Sequence, residues 1–323
     1  MIKEVANKIY KFRLPMPGRL DHINVYLLQE NQRLALIDTG LPTPDSWKAL
    51  NDSLEALNLH FSDLTDIFVT HSHPDHIGQL HRIRKHAPTA RLHIHRVELS
   101  VLQERSSKPE EAEQRLLEWF LSNGANEMAL NPPSGLFSPT PELGTEDRPL
   151  AGGEKLVLSE GLEGTWEIIW TPGHTAGHFV ILNRARRILL SGDHLLGGIS
   201  SNIGKYPGST VDPLGDYMNS LQKINELDLQ EIFPAHGLPF KNYRERLAFL
   251  LEHHKHRLEK MYAAIEGQPV TATEVVKSIW GDRLDGFDRF LALGETLSHL
   301  ERLVLEKRVI PEQHNNLTYY RVA

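Results

Sequence analysis

The sequence predicts an α/β fold that carries a small helix-rich module at its end. Three observations lead there. Short apolar runs alternate with helical patterns through the first hundred residues, and loops bearing histidine or aspartate follow several of those runs directly. Beyond Tyr243 the chain turns to long amphipathic helices. A length of 323 residues exceeds the usual single domain, so a large domain over residues 1–242 and a small one over 243–323 are expected.

The elements follow in order. "HINVYLLQE" and "RLALIDTG" read as antiparallel strands joined by a turn near Asn31 and Gln32. In "TPDSWKALNDSLEALNL", Trp47, Leu50, Leu54 and Leu57 fall at helical spacing behind a cap at Thr43 or Asp45. "LTDIFVT" is the next strand, "IGQLHRIRKHAP" a helix and "RLHIHR" a strand. Between residues 97 and 149 the pattern changes. "PEEAEQRLLEWFLSNG" is a charged amphipathic helix and "NPPSGLFSPTPELG" a Pro/Gly-rich loop, together an insertion suited to a lid. Strands return with "WEIIWT", "FVILN" and "RRILLSGD"; "DPLGDYMNSLQKINELD" is a helix, and "EIFPAHG" a strand running into a loop. "RERLAFLLEHHKHRLEKMYAAIEG", the Thr-capped "TATEVVKSIW" and "LALGETLSHLERLVLEKR" are three further helices. "VIPEQHNNLTYYRVA" closes as a hairpin turning at Asn315–Asn316, which makes the last module winged-helix-like.

Composition narrows the chemistry. There are no cysteines, which excludes disulfides, thiolate metal sites and cysteine nucleophiles. A metal would be held by imidazole and carboxylate, a donor set that suits zinc, iron or manganese. The formal charge of −7 argues against a dedicated nucleic-acid surface. No segment has the length and apolarity of a membrane span, and the N-terminus does not read as a signal peptide, so the expected compartment is cytoplasmic.

"THSHPDHIG" concentrates the chemistry. An extended segment ending in a sharp loop can aim His71 and His73 at one point and Asp75 and His76 at a second; Pro74 keeps His73 out of a helix. His174 in "WTPGHTAGH", Asp193 in "LLSGDHLL" and His236 in "FPAHGLPF" each follow a predicted strand, the position where α/β folds gather their sites. With Asp193 as a bridge, these residues make two metal sites completed by an exogenous water. His93, His95, His253, His254 and His256 are expected to be solvated or merely hydrogen-bonded, and His178 and His194 to support their neighbours or be incidental.

The run "THSHPDHIGQL", "TPGHTAGH", "SGDHLL" and "PAHG", in that order, resembles the metallo-β-lactamase superfamily over roughly residues 5–240. The resemblance implies a four-layer αββα sandwich with two metals at one edge. His71, His73 and His174 would bind the first metal, Asp75, His76 and His236 the second, and Asp193 would bridge them. Asp38, at the end of "LALIDTG", would support the site. Without cysteine, and with Asp193 present, the ligand set resembles the glyoxalase II, lactonase and ribonuclease Z branches. The C-terminal module is similar to that of the β-lactamase-like protein 2 group, which carries a winged helix and includes an endoribonuclease acting on single-stranded RNA.

Two divalent cations, zinc first with iron or manganese as alternatives, would lower the pKa of a shared water and yield a metal-bound hydroxide near neutral pH. Asp75 would orient it and pass its proton to the leaving group. The leading expectation is a hydrolase of a small-molecule ester, thioester or lactone, with Asn202 and Tyr206 of "GISSNIGKYPGS" touching substrate. The alternatives are an endoribonuclease or phosphodiesterase, and a ligand-sensing DNA-binding protein. Against both, Arg302, Lys307 and Arg308 in the last helix are matched by Glu295, Glu301 and Glu306. Leu291, Leu293, Leu297, Leu300, Leu303 and Leu305 read as core packing, so the module is expected to be structural or to make a homodimer contact.

Overall fold

Alternation along the strands builds the architecture. The computed structural model describes residues 2–31, 33–126, 140–158 and 162–323; Gln32 of the expected turn and most of the expected lid loop, residues 131–139, lie outside the described residues. One sheet holds β1 (Ile2–Ala6), β2 (Ile9–Pro15), β3 (His22–Glu30), β4 (Arg33–Ile37), β5 (Asp66–Val69) and β6 (Arg91–Ile94) in that order, antiparallel as far as β4 and parallel beyond it. The other holds β7 (Lys155–Val157), β8 (Thr165–Trp170), β9 (Phe179–Asn183), β10 (Ile188–Gly192) and β11 (Glu231–Pro234), with β10 and β11 parallel.

In β3, Tyr26 and Leu28 join the core between the sheets, whereas Val25 and Leu27 point the other way. In β9, Phe179 and Ile181 face the first sheet while Val180 and Leu182 face the opposite helices. Strands covered on both faces read as continuous apolar runs, which is why these segments lack a polar stripe. The outer face of the first sheet is covered by α1 (Pro44–Glu55), α2 (Pro74–Ile77), α3 (Leu80–His86) and α4 (Arg96–Ser107), through Leu50, Ile77, Ile83 and Leu102. Thr43, not Asp45, caps α1, accepting from Ser46 N at 3.3 Å. The outer face of the second sheet is covered by α6 (Pro213–Asn225), through Leu214, Tyr217 and Leu221. The result is the αββα sandwich. After α4 comes α5 (Pro109–Ser122). β1, β2, β7 and α4 are additions to the elements expected from sequence.

The C-terminal part contains α7 (Tyr243–Ala264), β12 (Val270–Thr271), α8 (Ala272–Trp280), α9 (Gly286–Leu305), β13 (Val309–His314) and β14 (Leu317–Val322). The strands form an antiparallel sheet in the order β12-β14-β13. Thr271 and Glu274 form a capping box on α8, and Asn315 and Asn316 take the positive φ values of a tight hairpin. One apolar core runs from Val180 and Leu182 of β9 through α6 and α7 to Leu293, Leu300 and Leu303 of α9. Leu305 departs from the expected core packing. It is 46% exposed, because it ends α9 on the solvent side. Among the described residues no helix is long and apolar enough to cross a membrane.

Candidate metal centre

The site is assembled at the carboxyl ends of β4, β5, β8, β10 and β11. Asp38 follows β4 in the left-handed region, φ 63°, a conformation aspartate tolerates when its side chain is bonded locally. Its carboxylate accepts from Thr70 N at 2.8 Å, Thr70 Oγ1 at 3.0 Å and His76 Nδ1 at 2.8 Å. Beyond β5 the chain bends at Thr70, His71 and His73, with His73 itself in an extended conformation, and Pro74 then opens the single helical turn of α2, which carries Asp75 and His76. The expected sharp loop is therefore a bent segment over residues 70–73 followed by one turn of helix. The residue after this turn is Gly78, where a Cβ would meet Pro74 O at 2.2 Å and Pro42 Cδ at 2.4 Å.

Three ring nitrogens converge at one point: His71 Nε2, His73 Nδ1 and His174 Nε2 lie 2.9, 3.0 and 3.1 Å apart. The outer nitrogens already hold the protons of two rings. His174 Nδ1 donates to Asn202 O at 2.8 Å, and His71 Nδ1 faces Thr70 Oγ1 at 3.2 Å. Their inner nitrogens are therefore lone pairs facing one another.

A second point repeats the pattern. His76 Nδ1 donates to Asp38 and His236 Nδ1 donates to His22 O at 2.9 Å, which leaves both Nε2 atoms turned inward as the positions that could bind a metal. They face Asp75 Oδ2 at 3.5 and 3.2 Å, and Asp193 Oδ1 at 3.5 and 3.4 Å. Asp193 turns its other oxygen to His174 Nε2 at 3.6 Å, so one carboxylate serves both points.

Inward-facing lone pairs and carboxylates repel one another unless positive charge, a metal ion or a ring proton, lies between them. His76 Nε2 and Asp193 Oδ1 are buried without a hydrogen-bond partner, a costly arrangement by itself. Donors bound to one cation at about 2.0–2.1 Å stand roughly 3.3 Å apart, close to the separations seen here. The residues fit divalent cations. His71, His73 and His174 could hold one, and Asp75, His76 and His236 another, with Asp193 within reach of both.

The electrostatics differ at the two points: the first gathers neutral imidazoles, while at the second the carboxylates call for positive charge, carried by ring protons unless a metal replaces them. Burial drives His71 and His174 below the ordinary imidazole value and His73 to about 3, leaving them neutral. Burial also acts against charge on His76 and His236, but there the carboxylates outweigh it. His236 is raised to about 10 by Asp193 and Asp75, and His76 rises well above its usual range beside Asp38, Asp75 and Asp193. Burial opposes ionisation of Asp193 too, yet His236 and His76 hold its carboxyl well below the usual range.

Supporting residues come from inside and outside the motifs. His178 donates from Nδ1 to Thr171 Oγ1 at 2.9 Å and accepts from Asp193 N at 3.2 Å, so it positions Asp193. Gly192 must approach this ring, since a Cβ would lie 2.7 Å from His178 Nε2. Glu98, unanticipated from sequence, is buried and ties two ligand loops together. It accepts from Ser72 N at 2.9 Å and from Gly177 N at 2.8 Å, and also from Ser72 Oγ. No local signal marks it, because its partners are distant in the chain.

A cavity of about 440 Å³ opens beside these groups, with His73, Asp75, His174, Asp193 and His236 at one end. Asn202 and Tyr206 line it, but their polar atoms are engaged within the protein. Tyr206 OH donates to Asn202 Oδ1 at 3.0 Å, and Asn202 Nδ2 donates to Leu291 O at 3.3 Å. In the expected lid region, Val101 and Arg105 of α4 and Ala112 and Leu116 of α5 form part of the cavity wall.

The model of the metallo-beta-lactamase superfamily matches residues 18–236. The chain belongs to this superfamily. A second model, of the metallo-beta-lactamase-like C-terminal domain, matches residues 258–321. "Probable metallo-hydrolase YqjP" of Bacillus subtilis (strain 168) is 27% identical over 97% of both chains. A beta-lactamase-like protein 2 homolog of Caenorhabditis elegans is 27% identical, covering 83% of this chain and 74% of that one. An "atrochrysone carboxyl ACP thioesterase" of Cryptosporiopsis sp. (strain 8999) is 22% identical over 94% of this chain and 82% of its own. The crystal structure of a metallo-beta-lactamase family protein from Thermus thermophilus superposes with a TM-score of 0.82, 30% identity, and 99% and 100% coverage. The superfamily's fold and the His/Asp cluster make the protein a metal-dependent hydrolase.

Proposed function

We propose that this metallo-hydrolase is dinuclear and that its substrates are small carboxylic esters, thioesters or lactones. The observation that supports this reading most is the convergence of seven buried or half-buried ligand groups on two adjacent points, with Asp193 facing both. Divalent cations bound there would supply an activated water and polarise a carbonyl oxygen. Zinc is the first expectation for five imidazoles and two carboxylates, and iron or manganese suits the same donors.

The chain's own groups do the rest. Asp75 borders the cavity and faces His76 and His236 through Oδ2, and its other oxygen would take a proton and return it to the leaving group. Asp38, Thr70 and the carbonyl oxygens of Asn202 and His22 fix the ring orientations. The relative named as a thioesterase favours a carbonyl substrate. So do the basic residues of α9 and its end: Arg302 pairs with Asp212 at 2.8 Å and with Glu306 at 2.9 Å, and Arg308 pairs with Glu259 at 2.8 Å. Cations committed in this way are poor phosphate contacts for a nuclease or DNA-binding sensor.

The test is a panel of thioesters, lactones, phosphodiesters and short RNAs offered to metal-loaded protein. Carbonyl substrates are expected to turn over, with loss on chelation and recovery on adding metal back. RNA cleavage faster than any carbonyl hydrolysis would contradict the proposal.

A further inference from the structure

Away from the metal cluster the cavity changes character. Its walls are built by Met16 and Leu196 on one side, Val101 and Leu116 on another, and Phe290 and Leu291 of α9 on a third. Most of the polar side chains in the lining are engaged within the protein. Tyr206 and Asn202 bond each other, Arg115 meets Glu104 at 3.1 Å, and Arg105 donates to Pro207 O at 3.5 Å. At the mouth Leu20, Ile199 and Phe287 are 42%, 43% and 52% exposed while lining the same space. An ion pair between Arg19 and Asp288, 3.0 Å, joins the loop carrying Leu20 to the start of α9. Large apolar side chains left in water around one opening mark a surface that something apolar covers.

From this we infer that the substrate carries an extended apolar acyl group, seated along the wall formed by α4, α5 and the first turns of α9, with its carbonyl at the metal cluster. The inference rests on the hydrolase reading and names the part of the substrate that the cavity selects. The volume of about 440 Å³ lies in the range of small-molecule sites, and a few fixed polar groups at one end of an apolar space is their usual composition. In the reaction a water oxygen bonds to the carbonyl carbon, the bond from that carbon to sulfur or oxygen breaks, and the leaving group takes a proton. The products are a carboxylate and a thiol or alcohol, with the second water proton released to solvent. The α9 segment then acts as a specificity wall, which gives the C-terminal part a role that needs no nucleic acid.

The experiment separates the pocket from the chemistry. Methyl, butyl and octyl thioethers of N-acetylcysteamine cannot be hydrolysed, and their binding to the full-length purified protein is measured by calorimetry. Affinity should rise roughly tenfold for each two methylenes added, with a negative heat-capacity change. Ala112→Trp, which fills the wall of α5, should weaken octyl binding at least tenfold more than methyl binding. Val101→Phe on α4 should act in the same direction, and thermal melts establish that each variant is folded. Equal affinity for methyl and octyl ligands in the wild type would overturn the inference whatever the variants do. In parallel, acetyl and octanoyl thioesters are assayed. Turnover without chain-length preference, together with length-independent thioether binding, discards the acyl wall and leaves the hydrolase. Length-dependent thioether binding with no turnover of either thioester, or of the matching octanoyl ester and lactone, by metal-loaded protein overturns the carbonyl-substrate reading and the acyl assignment with it.

Discussion

Glu98 and Asp75 do different work for the same site. Glu98 accepts two backbone N–H groups from loops that carry His71, His73 and His174, so its removal strands buried donors. Glu98→Ala should cost about 2–5 kcal/mol, the scale of two unsatisfied groups, and Glu98→Gln should cost less because one acceptor remains. Chemical denaturation reads both values; an alanine variant as stable as wild type would remove Glu98 from its tying role. Asp75 is judged by turnover instead. Asp75→Asn keeps the shape but removes a base, and kcat should fall by at least about a hundredfold. A variant with full metal content and near-normal kcat would exclude Asp75 as the proton carrier. The convergence of these seven candidate ligands was legible because four of them share one short motif and the others sit just beyond apolar runs. Glu98 was not, since its partners lie 26 and 79 residues away and its own segment has no clear helical stripe.

At the scale of elements, the parallel pair β5–β6 is locked by a buried charge. Asp66 accepts from Arg33 Nε at 2.8 Å and pairs with His93 Nε2 at 2.8 Å, and the His93 ring stacks on Phe68 at 4.2 Å. Burial alone would raise the carboxyl pKa, but the bonds from His93, Arg33 and Thr65 win and lower it from 3.8 to about 2. A depressed carboxyl stabilises the fold fully above the unfolded value and loses that contribution as pH falls toward the folded one. The window is therefore about pH 4 down to about pH 2, and the shift corresponds to roughly 2 kcal/mol. Asp66→Asn should lose about that much at neutral pH and show a flatter stability profile across the window. An unchanged profile in acid denaturation would contradict the assignment. His93 was expected to be hydrogen-bonded without catalytic duty, and this is its place. The missed elements share a physical cause: β1 is a half-exposed edge strand, β2 carries Lys11 and Arg13 within its span, and α4 buries a carboxylate where an apolar residue would reveal the period.

Across the whole molecule, the helical end of the chain packs into the sandwich. Phe287, Phe290 and Leu291 reach the cavity beside the His/Asp cluster, and Asn202 connects that helix to His174. The heptad-like leucines of α9 made its core role readable in advance; its contribution to the cavity was not, because that depends on how two distant segments pack. Reversing Arg302, Lys307 and Arg308 to glutamate should leave thioester hydrolysis within about twofold if these residues make no substrate contact. A nucleic-acid reader would instead lose affinity and about one unit of log–log salt slope per lost phosphate contact. Salt-series measurements of both activities on the triple variant decide between them.

In the proposed centre Asp193 joins two metal ions held by the six other candidate ligands. Elemental analysis of wild type and Asp193→Ala after identical metal reconstitution checks this. About two transition-metal ions per wild-type chain are expected, with a large loss in the variant. A wild type that never exceeds one ion, or a variant with an unchanged load, would contradict it.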